Sequence, residues 1–191
     1  SFNNSFKLSP TEFDIWMRLL AQVEDSVLWL LRSNSWAEGS LRQAAITRGI
    51  TQDRLVFARK VSQPEHLARQ RLADLFLDTF NYNAHTTTSD ALWIGLPVIT
   101  KMGRGFAARV AGSLLTAMEM PELITKTEQA YEQLALDLAQ NPKQLAELRQ
   151  KIIAKRTTAP LFDTELYTRH LEAGYQQAYG HYLQGKDPVD I

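Results

Sequence analysis

The sequence predicts an α/β fold: a Rossmann-like parallel sheet flanked by helices, followed by a helical C-terminal segment. Three observations predict it. Short runs that are apolar throughout recur over the first two thirds of the chain, as strands buried on both faces do. Stretches of helical spacing separate them, so strand and helix alternate. From Thr127 on, the pattern is almost entirely helical, broken at Asn141-Pro142 and Ala159-Pro160.

Each element has its own signal. Ser9-Pro10-Thr11-Glu12 opens a helix with a capping box and a proline in the first turn; Phe13, Trp16, Leu19, Leu20 and Val23 follow at helical spacing. Ser26 to Leu31 is a continuous apolar run of strand length. Leu41 to Arg48 predicts a short helix stopped by Gly49. Arg54 to Ala58 is the next strand and His66 to Ala73 the next helix. Leu75 to Thr79 and Pro97 to Lys101 are further strands, with a helix before the second. Phe106 to Met118 predicts a helix and Glu122 to Thr125 a short strand. Helices over about 128–140, 142–156 and 163–183 complete the chain. Leu134, Leu138, Leu145 and Leu148 form a stripe there that suits either the core or a partner.

Composition bounds the function. A chain of 191 residues holds one domain with a sizeable core, or one half of a bilobal enzyme. Hydrophobic residues at 45% and charged residues at 22% fit a globular protein. Basic and acidic residues balance at 21 each, so no long-range field recruits nucleic acid. The absence of cysteine excludes disulfides and thiolate metal sites and fits a reducing compartment. No apolar run approaches the roughly 18 residues of a membrane span. The opening Ser-Phe-Asn-Asn carries no signal-peptide pattern. The chain reads as one lobe, residues 1–191, excised from something larger, with the helical segment of about 127–185 packed on that lobe.

The stretch from Asn83 to Pro97 concentrates the chemistry. His85-Thr86-Thr87-Thr88-Ser89-Asp90 sets three threonines, an imidazole and a carboxylate at the mouth of a helix that follows a buried strand. The first-turn N–H groups of such a helix point outward, and its dipole places roughly half a positive charge there. That arrangement binds phosphate. An ordinary N-cap by Thr86 or Thr87, with Ser89 or Asp90 closing a capping box, is the structural alternative. Ligands of a parallel sheet bind beyond the carboxyl ends of its strands. The loops in question follow Leu31, Ala58, Thr79 and Thr100; Gln63, Glu65 and His66 lie after the second, and His85 to Asp90 after the third. There is neither a G-x-G-x-x-G nor a Walker A string, and Gly103-Arg104-Gly105 reads as a loop.

These residues carry a family resemblance. Phe2 to Pro10, Ser26 to Leu31, Arg54 to Phe57, Glu65-His66 and Leu72 to Asp74 match in order. So do His85-Thr86-Thr87, Asp90 to Trp93, Gly95, Ala107 to Ala111 and Pro160 to Thr164. Together they resemble the C-terminal catalytic lobe of the O-linked N-acetylglucosamine transferases, including bacterial and SPINDLY-like homologues. The resemblance implies the C-terminal half of a GT-B glycosyltransferase. The N-terminal lobe and the tetratricopeptide repeats would lie elsewhere.

The implied donor is UDP-GlcNAc, the acceptors Ser and Thr of proteins, and the outcome inversion at the sugar carbon. Thr86 and Thr87 match the hydroxyls on the diphosphate, and Asp90 the carboxylate on the ribose. A carboxylate beside a diphosphate repels it unless it faces neutral hydroxyls, so the ribose role is physically sensible. His85 suits either the phosphates or a structural hydrogen bond. Lys7 matches the lysine that stabilises the departing diphosphate, a cation required because no metal is expected there; the alternative is a solvated surface charge. Asn3 and Asn4 align with polar residues at the sugar-phosphate end. His66 matches a histidine near the base and ribose, or else is a first-turn helical histidine. Gln63 stands where the animal enzymes carry lysine beside the uracil. Arg69 and Arg104 read as surface charges. The resemblance also implies a cytoplasmic setting and a lobe that is inactive alone. Relatives moving fucose or glucose, or a non-catalytic nucleotide-binding or interaction module, are the alternative readings.

Overall fold

A computed structural model describes residues 1–189 of the chain. Ser9 caps helix α1 (Pro10–Gln22) in a complete capping box, its backbone N–H donating to Glu12 Oε1 at 2.6 Å. Strand β1 (Leu28–Leu31) follows, then helix α2 (Ser35–Ile46) and strand β2 (Leu55–Ala58). Helix α2 starts six residues before the apolar pattern announces it. The reason is a cap: Asn34 accepts from Ala37 N at 2.8 Å, and the first turns it starts are largely exposed. Helix α3 (Gln63–Gln70) likewise starts three residues early, because Ser62 and Glu65 form a second capping box.

Strand β3 (Phe76–Leu77), helix α4 (Thr86–Trp93) and strand β4 (Val98–Lys101) form the unit that carries the threonines. The expected helix over Phe106 to Met118 is two pieces: a 3-10 turn (Phe106–Ala108) and helix α5 (Val110–Ala117), separated at Arg109. Strand β5 is only Ile124–Thr125, preceded by a 3-10 turn over Pro121–Leu123.

Every strand pairing is parallel, β1 with β2 and then β3 with β4 and β4 with β5. The sheet forms two paired blocks rather than one ladder. Residues Ser1–Asn3 run between them, Ser1 N donating to Trp29 O at 2.9 Å and Asn3 Nδ2 to Asp78 Oδ1 at 3.2 Å. A cavity of ≈ 440 Å³ opens beside them, lined by Trp16, Leu20, Leu28, Phe76, Leu96 and Leu145 among others.

Helix α6 (Glu128–Gln140) packs on strands β4 and β5, and α7 (Pro142–Lys155) packs on α6 and α4. Leu138 and Leu148 are buried, and Leu134 and Leu145 pack partly buried against the same core, so the leucine stripe belongs to the core. Trp16 and Tyr131 are fully buried at the centre; Trp16 Nε1 donates to Tyr131 Oη, which donates to the Asp78 carbonyl at 3.1 Å. Helix α8 (Thr164–Leu183) buries none of its residues and packs against the 3-10 turn Pro160–Phe162. Among the described residues no helix is long and apolar enough to cross a membrane.

Candidate functional site

The site begins with a buried aspartate. Strand β3 is followed directly by Asp78, whose side chain accepts from Thr79 N (2.8 Å), Ala84 N (2.7 Å), Asn3 Nδ2 (3.2 Å) and Thr100 Oγ1 (2.7 Å). Those bonds fold residues 78–84 into a compact loop delivered to the start of α4. Complete burial pushes the Asp78 carboxyl up to about 7, against the pull of the four donors toward the charged form. Asn83 reinforces the loop, donating from Nδ2 to Thr79 O at 2.7 Å and from its backbone to Ala107 O at 2.8 Å.

Helix α4 then starts without a side-chain cap. Its N-cap is His85, and neither Thr86, Thr87, Ser89 nor Asp90 closes a capping box. The cap reading is thereby overturned, because the threonines are the first helical residues and the one before them is an imidazole. Thr88 is spent internally, its hydroxyl donating to Ala84 O at 2.9 Å. The Thr86 and Thr87 amides have no acceptor in the chain among the described residues. Thr86 is exposed and Thr87 half-buried. Two free first-turn N–H groups with adjacent hydroxyls and the positive end of the helix dipole form an anion cradle.

Lys7 reaches this cradle from the other end of the sequence. Its Nζ donates to the Asn83 carbonyl at 2.8 Å, three residues ahead of Thr86, and stands 4.0 Å from the centroid of the Tyr82 ring. No carboxylate pairs with it among the described residues. Burial draws the ammonium below its ordinary 10.5, with the charge on Asp78 opposing.

The remaining residues divide. The His85 ring lies 3.3 Å from Ala107 O through Nε2 and packs edge-on to Phe106 and tilted against Tyr82, so it takes the structural hydrogen bond. Asp90 is half-buried on α4 and near enough to His66 to raise its pKa, although burial and the Arg69 charge hold that imidazole below its ordinary 6.5. His66 and Asp90 thus share one neighbourhood. Arg69 is not a plain surface charge: it lies over Phe2 at 4.9 Å and donates to His66 Nδ1 at 3.2 Å. Asn3 is buried with its amide committed to Asp78 and Thr79, a framework role, although its Oδ1 has no partner. Asn4 and Gln63 are exposed, at the ends of the loops expected to hold them, and Arg104 is exposed as well.

Two contributors escaped the sequence reading. Asp78 had one legible signal, a carboxylate closing an otherwise apolar strand. Tyr82 had none. Among the described residues no group of three or more His, Asp or Glu is gathered to hold a metal ion.

Comparison with known proteins shows the family of the chain. The model of glycosyl transferase family 41 matches residues 1–171. The chain is 38% identical over 190 residues to a Caenorhabditis elegans UDP-N-acetylglucosamine–peptide N-acetylglucosaminyltransferase, covering 100% of this chain and 16% of that protein. It is 37% identical over 188 residues to the probable Arabidopsis thaliana enzyme SEC, covering 98% and 19%. It is 34% identical to the probable SPINDLY enzyme of Hordeum vulgare, covering 99% and 20%. A mutant O-GlcNAc transferase of Thermobaculum terrenum superposes with a TM-score of 0.87 at 29% identity, over 92% of this chain and 34% of that one. The chain thus spans about a fifth or less of the length of these curated relatives.

Proposed function

Because the chain belongs to glycosyl transferase family 41, we propose that it is the UDP-sugar-binding lobe of a protein O-glycosyltransferase. The donor is UDP-GlcNAc and the acceptor a Ser or Thr hydroxyl of a protein. The observation that carries this reading is the uncapped first turn of α4 beside a lysine that has no carboxylate partner among the described residues. Such a pairing suits a diphosphate whose negative charge grows as it departs.

In the reaction, the acceptor oxygen bonds to the anomeric carbon from the face opposite the diphosphate. The bond from that carbon to the β-phosphate oxygen breaks, and the configuration inverts. The acceptor proton passes to a base outside this lobe. The Thr86 and Thr87 amides and hydroxyls hold the phosphates, and Asp90 accepts from the ribose hydroxyls. His66 lies at the ribose and base, with Gln63 on the uracil edge and Asn4 toward the sugar-phosphate end. Lys7 stabilises the leaving charge from a preorganised position. The lobe comprises residues 1–191 and works in a larger, cytoplasmic polypeptide whose other parts bind the acceptor.

Thermal denaturation tests the reading. UDP at about 100 times its Kd stabilises by about 2.7 kcal/mol, which for this size raises Tm by about 5–10 °C. Thr87→Ala combined with Asp90→Ala removes the shift. No shift in the unaltered chain at millimolar UDP rejects the donor-lobe reading.

A further inference from the structure

We propose that Tyr82 is the positioning residue for Lys7, its ring holding the ammonium at the diphosphate end of the cradle. The proposal rests on the donor-lobe reading above. Lys7 sits on a mobile four-carbon stem, so its charge needs a guide to stay in one place. A carboxylate guide neutralises the charge that the leaving group requires. Here the neighbours are neutral: the Tyr82 ring at 4.0 Å and the Asn83 carbonyl at 2.8 Å. A ring face attracts a cation without cancelling its charge. One N–H is spent on the carbonyl, and the ammonium keeps donors for an arriving phosphate.

The ring is itself held. The Tyr82 carbonyl accepts from Thr79 Oγ1 at 2.6 Å, which fixes the backbone of the turn. The ring packs at 5.0 Å against His85, the N-cap of α4, and at 6.3 Å against Phe6, the residue before Lys7. Tyr82 therefore joins the two halves of the cradle, the lysine and the helix mouth. Among the described residues the charge that faces Lys7 is the buried Asp78, reached through the Asn83–Ala84 peptide, whose N–H donates to Asp78 Oδ1 at 2.7 Å.

UDP carries on its terminal phosphate the charge that the leaving group develops, whereas UMP lacks that phosphate. The ratio of the two affinities in this chain, measured by titration calorimetry, reads the Lys7–phosphate contact apart from base and ribose binding. Tyr82→Leu weakens UDP on the order of tenfold while leaving UMP within about twofold. Tyr82→Phe, which keeps the ring, recovers most of the UDP affinity. Placed on Lys7→Met, Tyr82→Leu costs nothing more, because the residue acts through the lysine. Equal weakening of UMP and UDP, or an undiminished cost in the Lys7→Met background, overturns the proposal and leaves the donor site standing. A chain that binds neither nucleotide overturns both.

Discussion

Replacing Asp78 tests the site's framework. Asp78→Ala leaves buried donors of Asn3, Thr79, Ala84 and Thr100 without their acceptor, at about 1–3 kcal/mol each. The same change relieves a buried charge. The rise of the carboxyl from 3.8 to about 7 corresponds to about 4 kcal/mol against the ionised form above pH 7. The net loss is therefore smaller at pH 8 than at pH 5, where the acid is protonated in the fold, by about 2–3 kcal/mol. Asp78→Asn behaves differently. Its amide oxygen, in the place of Oδ1, keeps the three bonds from Asn3, Thr79 and Ala84, and its NH₂ donates to a Thr100 hydroxyl turned to accept. Its stability stays within about 1 kcal/mol of the unaltered chain at pH 5. The sign follows from a folded pKa raised above the unfolded one. The contribution of Asp78 is fully present below about pH 4 and is lost as pH rises through about 7. Urea denaturation of the three chains at pH 5 and pH 8 reads this directly. Asp78→Asn gains on the unaltered chain as pH rises; a difference that does not change with pH refutes the reasoning.

Three further outcomes are expected. In the full-length protein Lys7→Met lowers turnover far more than affinity for the sugar donor, measured as kcat against donor Kd, and equal losses in both contradict the leaving-group role. Gly95→Ala destabilises the chain by about 1–3 kcal/mol in denaturant titration, because an added Cβ meets Ile153 Cγ1 at 2.6 Å and the residue holds φ +85; full stability shows instead that α7 yields. Ending the chain after Phe162 shifts Tm by only a few degrees, since α8 buries no residue. A collapse of the cooperative transition shows that α8 contributes to the core after all.

Legibility followed the range of the interactions. The Ser9–Glu12 capping box and the apolar runs at Leu28–Leu31 and Val98–Lys101 are local, and the sequence displays them in order. The start of α2 is hidden because Asn34 caps a turn whose Trp36 is 86% exposed, so no apolar period marks it. The break at Arg109 is hidden because small, apolar residues flank it. In the site, the cluster from His85 to Asp90 was plain, but the roles within it were not. Whether a threonine caps a helix or opens one depends on the path of the loop before it. That path is set by Asp78 bonding to Asn3, 75 residues away, and Thr100, 22 residues away. Lys7 is legible only through the family resemblance, since its partners Tyr82 and Asn83 are brought to it by the fold.

The far end of α4 has a mechanical consequence. Gly95 is seated against Ile153, while Arg156 lies over Trp93 at 5.0 Å and donates to its carbonyl at 3.2 Å. Eight residues at 1.5 Å make α4 a lever about 12 Å long with its pivot in this clamp. A tilt of about 5° at the pivot displaces the proposed phosphate cradle by about 1 Å, a misplacement that in enzymes costs on the order of a hundredfold in rate. The alignment of the proposed donor site is thus tied to how α7 seats, some fifty residues downstream in the sequence. Changes in α7 at Ile153 or Arg156 are therefore expected to weaken UDP binding in the proposed cradle without touching its threonines.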